Sequence, residues 1–400
     1  MIACGVVVEY NPFHNGHLYH LQKSKELTNA DCTIAMMSGH FLQRGEPAII
    51  DKFHRTKAAL AAGADIVIEL PYVYAVQSSE LFAKGAILSL HELGVSSICF
   101  GSELGEIEPF IMLFNRLKEN KHKFDETVKK LLKQGLSYPK ANSEALKKIG
   151  IHEIDMMKPN NILGYSYVKT IFSHQLPIKP FTIQRIENDY HEQKITKTIA
   201  SATSIRNELM KHRLSEKVLN ALPSYSVQQL LQYERKTNKW HTWSDYFPYL
   251  TYQMTAQSNT ELADIQGVDE GIEQRLKKVL LHVTSFEDLI ERVKTKRYTY
   301  VRLQRMFVHI LTNTNKAEVL KFTERNSVPY IRLLGMNQTG QMYLNKRKKE
   351  LSVPLIANLT KEHKHLTYLD EKATQIYYSI LPTDIQQELF QQEFSLPIRM

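Results

Sequence analysis

Cysteine is scarce, and its scarcity sets the first limits. Cys4, Cys32 and Cys99 are the only three in 400 residues, and no two form a CxxC pair. An odd, sparse set excludes a disulfide framework and reads as buried, reduced thiols. Long apolar runs are missing too: none approaches the roughly 20 residues that a bilayer-crossing helix needs. No basic stretch leads into a hydrophobic segment at the N-terminus, so a cleaved secretion signal is not expected. These absences predict a cytoplasmic protein with no membrane partner. Neither GxxxxGK[ST] nor GxGxxG occurs, which removes the P-loop and the usual dinucleotide fingerprint. No carboxylate cluster announces a metal site, and no repeat or low-complexity segment interrupts the chain.

What is present is ordinary in bulk and uneven in detail. The chain is 43% hydrophobic and 23% charged, as soluble globular proteins are. Its length suggests two or three domains. The net charge of +9 is concentrated in the second half. Residues 292–349 hold 14 Lys and Arg against two acidic residues, Glu318 and Glu324. Tyr298, Tyr300, Phe307, Phe322, Tyr330 and Tyr343 are interleaved with them. That is an electrostatic footprint for nucleic acid, although solvated helix faces give the same composition.

The first hundred residues alternate between strand and helix patterns. "IACGVVVEY", "CTIAMMSG", "DIVIELP" and "SSICFGS" read as strands. "GHLYHLQKSKELT", "DKFHRTKAALAAG" and "SSELFAKGAILSLHELG" read as helices between them, the last capped by Ser78 or Ser79. Alternation of this kind predicts an α/β fold with a doubly wound, Rossmann-like parallel sheet. "FTIQRIEN" (181–188) reads as a late strand, and "ASATSIRNELMKH" (200–212) as a capped helix. Beyond about 213 the pattern becomes mainly helical. A small αβ tail follows, in which "VPYIRLLGMN", "TGQMYL" and "VPLIANL" read as short strands and "DEKATQIYYSIL" as a helix. The expected division is 1–212 and 213–400.

In doubly wound sheets ligands bind beyond the C-terminal ends of the strands. That rule gathers "NPFHNGH" after the first strand with "FGSELG" after the fourth. A helix N-terminus offers unpaired N–H groups and partial positive charge, both suited to phosphate. Gly16 permits close backbone approach, and His14 and His17 project from the first turn as hydrogen-bond donors. A single histidine there would be incidental; HxGH after a strand and a proline points to phosphate chemistry. Glu9, at the strand tip, suits a metal or ribose contact. Arg44 and Lys52, near "HFLQRGEP", suit phosphate or RNA, or plain surface charge.

"NPFHNGH" resembles the HxGH signature of the nucleotidyltransferase-like α/β superfamily. "SATSIR" (201–206) resembles that group's second signature, a Ser/Thr-rich turn ending in Ile-Arg. More narrowly, four stretches together closely resemble the bacterial tRNA(Met) cytidine acetate ligase family: "VVVEYNPFHNGHLYHL", "MSGHFLQRGEPAIIDKFHRTKAALAAGADIVIELP", "FGSELG" and "KPNNILGYSYVK". The resemblance is strong over about the first 210 residues. It implies a ligase that activates acetate with ATP as acetyl-adenylate. The acetyl group then passes to N4 of the wobble cytidine in elongator tRNA(Met), with AMP and pyrophosphate released. It makes 1–212 the ATP-binding catalytic domain and 213–400 a basic tRNA-binding domain.

By the same carry-over, the ATP loop is Val7, Val8, Glu9, Tyr10, Asn11, Pro12, Phe13, His14, Asn15, Gly16, His17, Leu18, Tyr19 and His20. His14 and His17 act on the phosphates. Gly101, Asn160, Asn161 and Arg185 lie near the nucleotide, and Ser201, Thr203, Ser204 and Arg206 hold the distal phosphates. Without the resemblance, Asn160 and Asn161 read as a helix-capping pair and Arg185 as a strand-edge charge. Arg292, Lys294, Lys296, Arg297, Arg302, Lys346, Arg347 and Lys348 would track the tRNA backbone. Magnesium is the ordinary companion of ATP, but no residue pattern calls for it. A small-molecule nucleotidyltransferase would share HxGH and SATSIR, with less need of the basic segment.

Overall fold

The computed structural model describes residues 1–136, 138–185 and 199–400. Among the described residues eight strands form one sheet: β1 (Ala3–Val8), β2 (Cys32–Ser38), β3 (Ile66–Leu70), β4 (Ser97–Ser102), β5 (Lys179–Gln184), β6 (Ile331–Met336), β7 (Leu355–Ile356) and β8 (Ile398–Arg399). Their order is β5-β4-β1-β2-β3-β6-β7, with β8 also pairing β6. β1 to β5 are mutually parallel where they pair, and β6 runs antiparallel to β3. β2 and β3 are buried along their whole length, which explains runs such as "CTIAMMS" with no polar alternation.

The chain starts in β1, moves one way to β2 and β3, then returns to the other side of β1 for β4 and β5. The winding therefore reverses at the β1/β4 boundary, the place where ligands enter such sheets. Helix α1 (Asn15–Thr28) follows β1 and α2 (Lys52–Ala61) follows β2. Asp51 caps α2, its carboxylate accepting from the His54 N–H at 2.8 Å. Ser78 caps the Ser79–Glu92 helix. The late strand is observed at Lys179–Gln184; residues 186–188 of the expected span lie outside the described residues.

Two expectations for the C-terminal part change. "TGQMYL" belongs to a helix, Gln338–Arg347, because the Asn337 side chain accepts the Gly340 N–H at 2.9 Å and caps it. "VPLIANL" contributes only the two residues of β7. The C-terminal strands also do not stand apart. β6 continues the sheet directly from β3, so the sheet runs across the expected boundary at residue 212. The seam is ionic as well. Lys52 Nζ, 1% exposed in its side chain, lies 2.6 Å from both Glu69 and Glu393, and Arg332 lies 3.3 Å from Glu393. Lys52 is thus a core cation, unavailable to phosphate or RNA. No helix of the described residues is long and apolar enough to cross a membrane.

Candidate active site

The tips of β1, β4 and β5 stand side by side and carry most of the predicted residues. After β1, the chain turns sharply: Tyr10 has φ 51°, a left-handed conformation costly for an aromatic residue. Packing holds it there. Val8, Tyr10 and Phe13 share a core cluster with Leu21, and Leu18 packs against it, while Val7 faces the larger core. The Tyr10 ring lies 4.5 Å from Phe13 and 5.0 Å from His17. The Asn11 side-chain oxygen accepts the Ile49 N–H at 2.7 Å, and the following peptide, Asn11–Pro12, is cis. Arg55, which the sequence did not single out, is 1% exposed and donates to the carbonyls of Glu9, Ser38 and Gly39. One buried guanidinium thus ties the tip of β1 to that of β2.

His14 caps α1 and His17 completes a reciprocal capping box. His14 Nδ1 accepts the Gly16 N–H at 3.0 Å, and His17 Nδ1 accepts the His14 N–H at 3.3 Å. The rings stack with centroids 3.7 Å apart. A ring nitrogen that accepts carries no proton, so each neutral ring holds its proton on Nε2. Burial holds His14 neutral, lowering its pKa to about 3, with the positive charges of Arg185 and Arg206 adding to the effect. Burial, then the His14 neighbour and Arg185, depress His17 well below the usual range. His20, one turn on, is lowered to about 4 by burial and Arg185. The pair thus presents neutral donors at a helix N-terminus. A side-chain carbon added at Gly16 would sit 2.9 Å from the His14 ring, so any larger residue would displace the cap. Asn15 Nδ2 reaches the Asn220 carbonyl at 2.9 Å, and Tyr19 is partly exposed along the same helix.

The remaining predicted residues fall into three groups around this pair. Arg185 follows β5 directly, its N–H donating to Ser102 O at 2.9 Å. A carbon added at Gly101 would lie 3.1 Å from Arg185 Cγ, so the glycine gives the arginine its room. Asn160 and Asn161 open the Pro159–Ser173 helix, where both N–H groups donate to the Glu103 carboxylate at 3.2 and 2.8 Å. Asn161 Oδ1 in turn accepts the N–H groups of Glu103 and Leu104 at 3.1 and 3.3 Å. These asparagines shape the loop after β4, and Glu103, absent from the expectations, is their partner. Ser201 caps the Ala202–His212 helix through the Ser204 N–H at 3.1 Å, the two hydroxyls lie 3.0 Å apart, and Thr203 is exposed. Arg206 donates to Asn11 O at 2.9 Å and to Glu46 at 2.8 Å. Ile199 lies 3.6 Å from a carbon added at Gly16. Two helix N-termini therefore converge beside the histidine pair.

Glu9 accepts the Gln43 N–H at 2.8 Å, and burial raises its pKa. No group of three or more His, Cys, Asp or Glu among the described residues could hold a metal ion. The basic candidates separate. Arg292 pairs with Asp288 at 2.6 Å, Lys294 with Glu291 at 3.6 Å, and Arg297 with Glu270 at 3.0 Å. Arg302 lies 3.7 Å from Asp269 and stacks 4.1 Å over Tyr298, while Lys296 is exposed. Lys346, Arg347 and Lys348 lie at the C-terminal end of the Gln338–Arg347 helix. That helix is anchored at the opposite ends of the strands, by Asn337 to Asp65 before β3 and by Tyr343 to Leu93 and Gly94 before β4.

A family model described as HIGH Nucleotidyl Transferase matches residues 1–393. Among curated proteins, tRNA(Met) cytidine acetate ligase of Oceanobacillus iheyensis is 49% identical, covering 100% of both chains. The protein of the same name from Bacillus subtilis is 45% identical, over 100% of this chain and 97% of its own. This chain belongs to the tRNA(Met) cytidine acetate ligase family. Solved structures agree over the full length of both chains. Apo Thermotoga maritima TmcAL has a TM-score of 0.92 at 32% identity, and the same protein bound with alpha-thio ATP has 0.91 at 33%. In this tRNA(Met) cytidine acetate ligase family member, the HxGH stretch sits in the first turn of α1. The shared fold covers both halves of the chain, including the C-terminal strands.

Proposed function

We propose that the protein is an ATP-dependent ligase that joins acetate to N4 of the wobble cytidine of elongator tRNA(Met). The observation that carries the reading is the stacked, neutral His14–His17 pair at the start of α1, where a second helix N-terminus converges. Acetate oxygen attacks the α-phosphorus of ATP, acetyl-adenylate forms and pyrophosphate leaves. The cytidine amine then attacks the acetyl carbonyl, loses a proton, and AMP leaves. Neither step needs a covalent enzyme intermediate; both need positioning and donors aimed at developing negative charge.

His14 and His17 donate from Nε2 to phosphate oxygens, and Arg185 supplies fixed positive charge across the crevice. Val7 to His20 form the nucleotide loop, with Gly101, Asn160 and Asn161 shaping its far wall. Ser201, Thr203 and Ser204 lie at the second helix N-terminus for the distal phosphates, and Arg206 holds that helix to Asn11. Among the described residues no group of three or more His, Cys, Asp or Glu is set to hold magnesium, the ordinary companion of ATP. The catalytic residues lie in 1–212, the cationic helices in 213–400, and the protein works in the cytoplasm.

The test follows radiolabelled ATP and the bulk tRNA together. AMP release that requires both acetate and tRNA, with an acetyl mass increment on one cytidine, is the expected result. His17→Ala should abolish acetylation while tRNA binding stays near wild type. A stable nucleotide conjugate formed without tRNA would replace the reading with a small-molecule nucleotidyltransferase.

A further inference from the structure

Arg305 belongs to the second half of the chain, on the Tyr300–Leu311 helix, yet it reaches the crevice. Its Nη1 lies 3.5 Å from the Gln43 carbonyl, and the N–H of that same residue binds Glu9 at the tip of β1. Packing fixes this approach. Gly45 has φ 75° and lies so near the helix backbone that an added carbon would overlap Arg305 N, while Trp243 Nε1 donates to Gly45 O at 2.9 Å. Among the described residues Arg305 forms no ion pair; its charged neighbours are Arg302 and Arg44. Burial, then those cations, lower its pKa to about 10. A largely buried cation held among cations is costly unless an anion completes it.

The row of positive groups is longer than a nucleotide needs. The Arg44 charge lies close enough to act on both Arg185 and Arg305, and Arg302 lies one turn away on the Arg305 helix. Arg302 stacks on Tyr298, and Arg297 continues the line on exposed surface, each with one carboxylate beside it, Asp269 and Glu270. Such a track suits a polyanion that enters the crevice and runs out along the helix. Lys346, Arg347 and Lys348 are set at the other end of strands about 20 Å long, so they serve no phosphate close to the reacting base.

We propose that Arg305 seats a backbone phosphate of the RNA beside the reacting cytidine, an inference that rests on the tRNA reading above. The test compares Arg305→Gln and Arg305→Lys in the full-length protein. One assay is tRNA acetylation across a salt series; the other is acetate-dependent ATP–pyrophosphate exchange without tRNA. Arg305→Gln should raise the KM for tRNA about tenfold and flatten the salt slope by about one unit, leaving exchange within about twofold of wild type. Arg305→Lys should restore the slope. An unchanged slope in Arg305→Gln, or a raised KM for ATP in exchange, would overturn the assignment while the ligase reading stands. If wild type exchanges pyrophosphate but never acetylates tRNA, both fall.

Discussion

At the scale of single residues, the site is built on proton placement. Two backbone N–H groups occupy Nδ1 of His14 and His17, which puts both protons on Nε2 before any ligand arrives. Neutral donors there avoid a buried pair of like charges, and in the proposed role they still donate to phosphate. The same depression links stability to pH. The folded rings bind fewer protons than unfolded histidine, whose pKa is about 6.5, so stability is complete above that pH and falls as pH drops. Each ring costs up to about 1.4 kcal/mol per pH unit below 6.5. His14→Asn keeps a good helix cap but removes one titrating group. Its urea midpoint should therefore fall less than that of wild type between about pH 7 and 5; an equal fall would mean the folded ring takes up protons freely.

At the scale of elements, the loop after β4 and the start of the Pro159–Ser173 helix hold one another. Glu103 offers negative charge to the helix N-terminus, and Asn161 returns a carbonyl to the loop. Asn161→Ala would leave two loop N–H groups unpaired, at about 1–3 kcal/mol. The expected result is a lower melting temperature with a raised KM for ATP and little change in KM for tRNA. The helix start was legible from Lys-Pro-Asn-Asn, but the asparagines do not cap it: Lys158 is the N-cap, and Glu103, 58 residues from Asn161, binds their N–H groups from the loop after β4. The strands were legible from their unbroken apolar runs. "TGQMYL" was misread because its helix is set by one cap, Asn337, while its short apolar run, Met342 to Leu344, imitates a strand.

At the scale of the whole molecule, the sheet crosses the border that composition suggested. Periodicity revealed that the second half was helical, yet it carries no information on which sheet edge β6 would join. Nor could it place Lys52, whose charge suggested surface and whose partners come from β3 and from near the C-terminus. Glu393→Ala would leave Lys52 and Arg332 short of an anion in the core, at about 3–5 kcal/mol. Chemical denaturation should register that loss as a single lowered transition. A fragment ending at 212 should precipitate or stay unfolded, because it bares the β3 edge; a soluble fragment with a cooperative transition would mean that the catalytic part folds alone.

The buried seam also sets an order in time. Lys52 is made early, but Glu393 leaves the ribosome 341 residues later. At about 5–20 residues per second, that is a wait of roughly tens of seconds. Throughout it Lys52 has Glu69 as its carboxylate partner, and until β6 emerges β3 has an unpaired edge. The nascent protein is therefore most exposed to misassembly after the turn from β1 into α1 has been made and before β6 covers the β3 edge.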